Sequence, residues 1–310
     1  MDNWKSVADR PSDYASLAVA IGKFDALHLG HQALLNELVE AAENHGLAPA
    51  VITFDRHPAA TLTPEAAPTP IIGKSQKEHF LTEAGISAIL TLEFNDELAA
   101  LSPRQFVERV LVPLDTKYVV VGDDFRFGSN GSGTVATLRE LGSEFGFAVK
   151  SVAKVNALRA PISTSRIRNL LDEGEVDQVA KLLGRPHLTT GVIEHGLKIG
   201  RTIGFPTANM SRDAEGYLPR DGVYAGWLYA DGQRYPAAHS VGINETFQAV
   251  PRLVESHVLD RDDLDLYDKV VSLEYIDFIR PNVKFNSKEE LIEAINKDLD
   301  QVRKALGICW

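Results

Sequence analysis

Apolar residues follow two textures along the chain. Up to residue 152, short continuous apolar runs alternate with stretches at helical spacing. Leu17 to Ile21, Ala50 to Phe54, Ile86 to Leu92, Tyr118 to Val121 and Phe147 to Val152 predict five buried strands. Between the first two, the stretch from His31 puts Leu34, Leu35, Leu38, Val39 and Ala42 on one helical face before Gly46 stops it. Ser102-Pro103 predicts a helix start by N-cap and first-turn proline, with Phe106, Val107, Val110 and Leu111 inward. Val135 to Leu141 predicts another helix. Strands separated by helices predict a doubly wound parallel sheet, whose ligands sit beyond the strand C-termini.

After Gly184-Arg185-Pro186 the texture changes. Segments such as Gly222 to Ala230 and Lys269 to Tyr275 are separated by Asp-Gly, Gly and Pro turns, the pattern of antiparallel strands in a small barrel or sandwich. A last helix is predicted from the Ser287 and Glu290 capping box to Gly307, with Leu291, Ile292, Ile295, Leu299, Val302 and Leu306 inward. The expected domains are residues 1–186 and 187–310.

Charge narrows the partners. Against 43 Asp and Glu there are 32 Lys and Arg, a net charge of -11. That balance argues against a nucleic-acid backbone or an anionic membrane as main partner, so an anionic ligand must be gripped locally. The single cysteine, Cys309, excludes an internal disulfide framework and a four-cysteine zinc site. The N-terminal stretch lacks a signal-peptide pattern, and no apolar run is long enough to span a membrane. The expectation is a cytoplasmic protein; oligomeric state is not indicated.

Two segments suit phosphate. Gly22-Lys-Phe24-Asp-Ala-Leu-His28-Leu-Gly-His31 lies where the first strand hands over to the first helix. Free N–H groups at that helix start favour a phosphate, and imidazoles can donate to oxygens gaining charge in a phosphoryl transition state. Incidental surface histidines and a metal pair are the alternatives, the latter without an obvious third ligand. Pro161-Ile-Ser163-Thr164-Ser165-Arg166-Ile-Arg168 puts three hydroxyls and two guanidinium groups before a helix ending near Gly174. That is a second phosphate grip, or an N-cap serine with surface arginines.

Further on, Gly196-Leu-Lys198-Ile-Gly200-Arg201 runs into Gly204-Phe-Pro-Thr207-Ala-Asn209. Glycines let backbone N–H groups approach phosphate, and Thr207 and Asn209 offer neutral oxygens suited to Mg²⁺; the plainer alternative is a hairpin loop before an edge strand. Glu255, in the alternating stretch Val254 to Asp260, could take a proton from an attacking alcohol if it shares a cleft with Thr207. A solvent-facing strand glutamate is the alternative.

His28-Leu-Gly-His31 with Ile162 to Arg168 resembles the nucleotidylyltransferase superfamily. With Gly22 to Asp25, Thr53 to Pro58 and Gly122 to Gly128, the first half resembles the FAD synthetase module of bacterial riboflavin kinase/FAD synthetases. That similarity implies that His28, His31, Ser163, Ser165 and Arg166 hold ATP phosphates, Gly22 and Phe24 belong to the nucleotide site, and Asp124 and Phe125 lie near the flavin. The second half, from Gly200 to Asn209 through Asp221 to Tyr224, Val241 to Phe247, Val254 to Asp260 and Asp265 to Tyr267, resembles riboflavin kinases. That resemblance implies a six-stranded antiparallel barrel with Thr207 and Asn209 at Mg–ATP and Glu255 as base toward the ribityl 5′-hydroxyl.

Four departures stand out. Ala26 and Asp268 stand where the family commonly has glycine, and Glu245 where many members have proline. If position 26 needs positive φ, alanine costs about 1 kcal/mol. Thr164-Ser165 exchanges two hydroxyl residues while keeping both hydroxyls.

The expectation is a bifunctional enzyme that phosphorylates riboflavin to FMN and then adenylylates FMN to FAD, with ATP as co-substrate and Mg²⁺ as metal. Its alternatives are one active half, or a non-catalytic flavin-binding regulatory protein.

Overall fold

The computed structural model describes residues 1–56, 68–196, 200, 203–242 and 252–308. It has two compact units. The first comprises Met1–Thr69 and Lys77–Ile162; the second comprises Pro70–Gln76 and Ser163–Trp310. The units therefore change over at 162/163, ahead of the 186/187 boundary drawn from the texture, and a short early segment joins the second.

The first unit is built on a parallel sheet. In chain order its strands are β1 (Asp2–Trp4), β2 (Leu17–Ile21), β3 (Ala48–Phe54), β4 (Ala88–Leu92), β5 (Thr116–Gly122) and β6 (Ala148–Val152). In space the order is β1-β4-β3-β2-β5-β6, all parallel. Helix α1 (Leu29–His45) follows β2 and buries Leu34, Leu35, Leu38, Ala41 and Ala42. Alternate residues of the strands feed a separate core: Leu17, Val19 and Ile21 pack with Phe106, Val107, Val110 and Leu111. Those four residues do face inward as their spacing predicts. They lie on α4 (Pro103–Phe106), which follows the short α3 (Asp96–Ala100), and on a π-helical turn, Val107–Leu111. Helix α5 (Val135–Phe145) adds Val135, Leu138 and Leu141 to the same core. Strand order reverses between β2 and β5, so a crevice forms beyond their C-terminal ends.

Before helix α2 (Lys74–Glu83) stands Gly73, which has no side chain to cap it; Gln76 Oε1 accepts from Gly73 N at 2.9 Å. The Glu215 carboxylate supplies the cap, accepting from Ser75 N at 3.0 Å, Gln76 N at 3.2 Å and Ser75 Oγ at 2.5 Å. Gln76 is buried and donates to Leu188 O and Thr190 Oγ1. These bonds make Pro70–Gln76 part of the second unit.

A small hairpin, β7 (Asn156–Ala157) and β8 (Ala160–Pro161), ends the first unit. The second continues with α6 (Thr164–Glu173) and α7 (Val176–Leu183), each ended by a left-handed glycine, Gly174 and Gly184. Then come β9 (His187–Glu194), β10 (Ala208–Met210), β11 (Gly222–Ala230), β12 (Gln233–Gly242), β13 (Leu253–Val258) and β14 (Val270–Arg280). They close an antiparallel barrel in the order β10-β13-β12-β11-β14-β9. Its interior is aromatic and polar: Tyr224 and Tyr275 meet edge to face at 5.4 Å, Thr189 Oγ1 lies 3.0 Å from Tyr275 Oη, and His239 Nδ1 lies 2.9 Å from Ser256 Oγ.

Helix α8 (Lys288–Leu306) covers the barrel with Leu299 and Val302, and Arg280 grips its Asp298 by two bonds of 2.8 Å. Ser287 caps α8 as expected, but Glu290 reaches past it to Asn286 N, so the predicted box closes one residue earlier.

Candidate active sites

The turn after β2 carries the first site. Its backbone is held by Gly22 N on Ile52 O and by Thr53 Oγ1 on Lys23 O. Phe24 (φ 49) and Leu27 (φ 47) are left-handed although neither is glycine, at a cost of about 1 kcal/mol each. Ala26 is buried and takes no positive φ. The condition under which alanine would be strained there is therefore not met; the strain sits on its neighbours. Phe24 is buried, with its ring centroid 5.3 Å from that of His31.

His28 is the N-cap of α1, and its Nδ1 accepts from His31 N at 3.3 Å. An accepting Nδ1 fixes the neutral tautomer, so Nε2 carries the proton. The two rings stack at 3.8 Å, 10° from parallel. Gly30 makes this possible: a Cβ there would lie 3.1 Å from the His28 ring. Burial, then electrostatic interaction with His28 and Lys77, holds the His31 pKa well below the ordinary histidine value. Its Nδ1 is enclosed and has no hydrogen-bond partner among the described residues. A neutral imidazole keeps one N–H, so at a helix N-terminus it can donate to a phosphate oxygen.

Beyond β5, Phe125 is half-buried and stacks on buried Phe127 at 5.6 Å, leaving a ring at the crevice that suits a flat ligand. Asp124 is exposed and paired with Lys154 at 2.8 Å. Both the β2 and β5 segments thus lie at the strand ends where sheet order reverses.

Ser163, Thr164, Ser165 and Arg166 belong to the second unit, at the start of α6. Ser163 is its N-cap and accepts from Arg166 N at 3.2 Å.

In the barrel, β10 pairs with β13 so that Asn209 stands opposite Glu255 and Ala208 opposite Ser256. Val254, Ser256 and Val258 are buried, so Glu255 and His257 point the other way, with Asn209. Directly opposed residues have Cβ atoms about 5 Å apart. Gly196 admits the Asn209 carboxamide, which any side chain at 196 would strike. Gly200 O accepts from Phe205 N at 2.8 Å and Ile203 N at 3.1 Å, folding the loop back before Thr207. Thr207 lines a cleft with Ala208, Ser256, Val258, Leu266 and Tyr267; Glu255 is not among the residues of its wall. Lys198, Arg201 and Glu245 lie outside the described residues.

Sequence reasoning missed His257. Its Nδ1 lies 2.8 Å from Pro206 O and its ring meets Phe205 edge to face at 5.7 Å, anchoring the segment that carries Thr207 into β10 with Asn209. Burial lowers its pKa, which keeps the ring neutral, as the Pro206 bond needs only the Nδ1 proton. Alternation alone could have put His257 on the Glu255 face. Asp268 does occupy a left-handed position (φ 60), as the family glycine foreshadows.

Residues 10–166 match the FAD synthetase family model and residues 183–306 the riboflavin kinase model. These matches define a transferase that works on flavin and nucleotide phosphates in two separate halves. The chain is 35% identical over 290 residues to the bifunctional riboflavin kinase/FMN adenylyltransferase of Listeria monocytogenes, covering 92% of this chain and 91% of that one. It is 32% identical to the Escherichia coli protein of the same name, covering 94% and 93%. The chain belongs to this bifunctional riboflavin kinase/FMN adenylyltransferase family: it phosphorylates riboflavin to FMN and adenylylates FMN to FAD. A solved structure titled a macrolide-efflux protein from Streptococcus pneumoniae shares the fold, with TM-score 0.86 and 31% identity over 97% of this chain and 98% of that one. Among the described residues no helix is long and apolar enough to cross a membrane.

Proposed function

We propose that each half carries its own chemistry with the residues named above, in the cytoplasm. In the kinase half, Glu255 takes the proton of the ribityl 5′-hydroxyl as that oxygen attacks the γ-phosphorus of ATP, and ADP leaves with the electron pair of the broken P–O bond. In the adenylyltransferase half, an FMN phosphate oxygen attacks the α-phosphorus of ATP and pyrophosphate departs. His28, His31 and the α1 N-terminus donate to the oxygens that gain charge, Ser163, Thr164, Ser165 and Arg166 hold the phosphates, and Phe125 supports the flavin. The observation that carries the kinase assignment is the register that sets Asn209 against Glu255.

Mg²⁺ fits the donors present. A hydroxyl and a carboxamide are hard, neutral oxygen ligands, and among the described residues no group of three or more His, Cys, Asp or Glu could hold a metal. Thr207 and Asn209 would hold the ion together with ATP oxygens, and when bound it neutralises phosphate charge.

Chromatography of flavins after incubation with riboflavin, ATP and Mg²⁺ tests the reading. His28→Ala should still form FMN but no FAD. Glu255→Ala should form no FMN from riboflavin, yet form FAD when FMN is supplied. Loss of both activities in either variant, with the fold intact, would defeat the assignment of independent sites.

A further inference from the structure

Lys77 stands in the second turn of α2, is half-buried, and donates from Nζ to Lys23 O at 3.0 Å. That carbonyl belongs to the turn of the first site and already accepts from Thr53 Oγ1 at 3.2 Å, so it does not need an ammonium for satisfaction. Two other cations near the strand ends are neutralised: Arg56 pairs with Asp55 at 2.9 Å and Lys154 with Asp124 at 2.8 Å. Lys77 has no carboxylate within ion-pair distance among the described residues; Asp25 acts on it only at longer range. Burial pulls its pKa down from the ordinary lysine value, partly offset by Asp25. Its charge is also felt by His31, which places it within electrostatic reach of the stacked histidines.

A partly desolvated cation without a counter-charge is costly unless an anion arrives. We infer that Lys77 is a catalytic residue of the adenylyltransferase half, its ammonium binding the triphosphate of ATP and neutralising the pyrophosphate as it leaves. This rests on the assignment of the His28–His31 turn as the ATP site. As the FMN phosphate oxygen bonds to the α-phosphorus, the bond from that phosphorus to the bridging oxygen breaks and its electron pair stays on pyrophosphate. Lys77 offers N–H donors to that charge and keeps its own proton.

The test uses the full chain with Lys77→Met and Lys77→Arg. FAD formation is measured against ATP, and the reverse reaction, FAD with pyrophosphate, against pyrophosphate. Lys77→Met should lower kcat/KM for both ATP and pyrophosphate by about a hundredfold. Lys77→Arg should recover most of that loss, while FMN affinity, followed by flavin fluorescence, and riboflavin phosphorylation stay at the wild-type level. Unchanged pyrophosphate kinetics in Lys77→Met would overturn the inference. So would an equal loss of FMN affinity, which would mark Lys77 as a mere support of the turn. His28→Ala is run beside them: if that variant still makes FAD, the site assignment fails rather than the role of Lys77.

Discussion

Acid should loosen the barrel well before it protonates the carboxylates. His187 and His239 are fully enclosed in it, and burial pushes each pKa down to about 4. Tyr217 O, which accepts from His187 Nε2, offsets part of that for His187, and the backbone carbonyls of Glu274 and Trp227 do so for His239. In the unfolded chain both return to the ordinary value of about 6.5. The unfolded state therefore binds more protons between these values, and stability falls as pH falls through that window. At about pH 5 each histidine has withdrawn about 2 kcal/mol, about 4 kcal/mol together, which is a large share of a domain's total. Urea unfolding at several pH values measures it, followed by Trp227 on β11 in a variant whose Trp4 and Trp310 are phenylalanine. The reporter must be local because His31 in the other unit is depressed too. Exchanging His187 and His239 for glutamine should remove most of the slope between about pH 6.5 and pH 5, the remainder coming from His257, whose pKa burial also lowers, whatever it does to absolute stability. A wild-type barrel with no slope in that window, or a double variant that keeps it, would refute the reasoning.

Other outcomes can be checked with simpler variants. Asp298→Ala strands the Arg280 guanidinium, so the barrel should lose about 3 kcal/mol in urea unfolding as α8 detaches. Asp268→Gly should raise stability by about 0.5–1 kcal/mol because it relieves a left-handed residue, whereas Ala26→Gly should raise nothing; thermal unfolding that ranks them the other way would contradict the backbone reading. Gly30→Ala should depress FAD formation about tenfold or more through displacement of the His28 ring, with FMN formation unaffected in the same flavin assay.

What could be read from the sequence follows what each signal encodes. Continuous apolar runs mark strands buried on both faces, so β2 to β5 and the parallel sense were legible; β6 was found too, but as the edge strand it has no fully buried residue, against the buried strand its run predicts. Asp2–Trp4 is too short to show a period, and β1 joins the sheet through its register with β4. Helix α2 was not anticipated, since its cap is a carboxylate far along the chain instead of a neighbouring side chain. Motif residues were found, but not their geometry. His28 and His31 were read as two separate donors, whereas they form one stacked pair in which the His28 tautomer is fixed. A missing family glycine signals strain only when φ is positive, which holds at Asp268 and fails at Ala26. Lys77 and His257 escaped because each acts through a backbone carbonyl, and no residue pattern announces that.

The Glu215 cap also orders events during synthesis. The start of α2 is completed by a residue 140 positions further on. A ribosome making the chain from its N-terminus releases Ser75 and Gln76 long before their acceptor exists, so this helix end waits open through translation of the rest of the sheet unit and the first two barrel strands. Nascent chains stalled short of residue 215 should leave it accessible to protease, and a gene cut between the two family matches would carry that open end permanently.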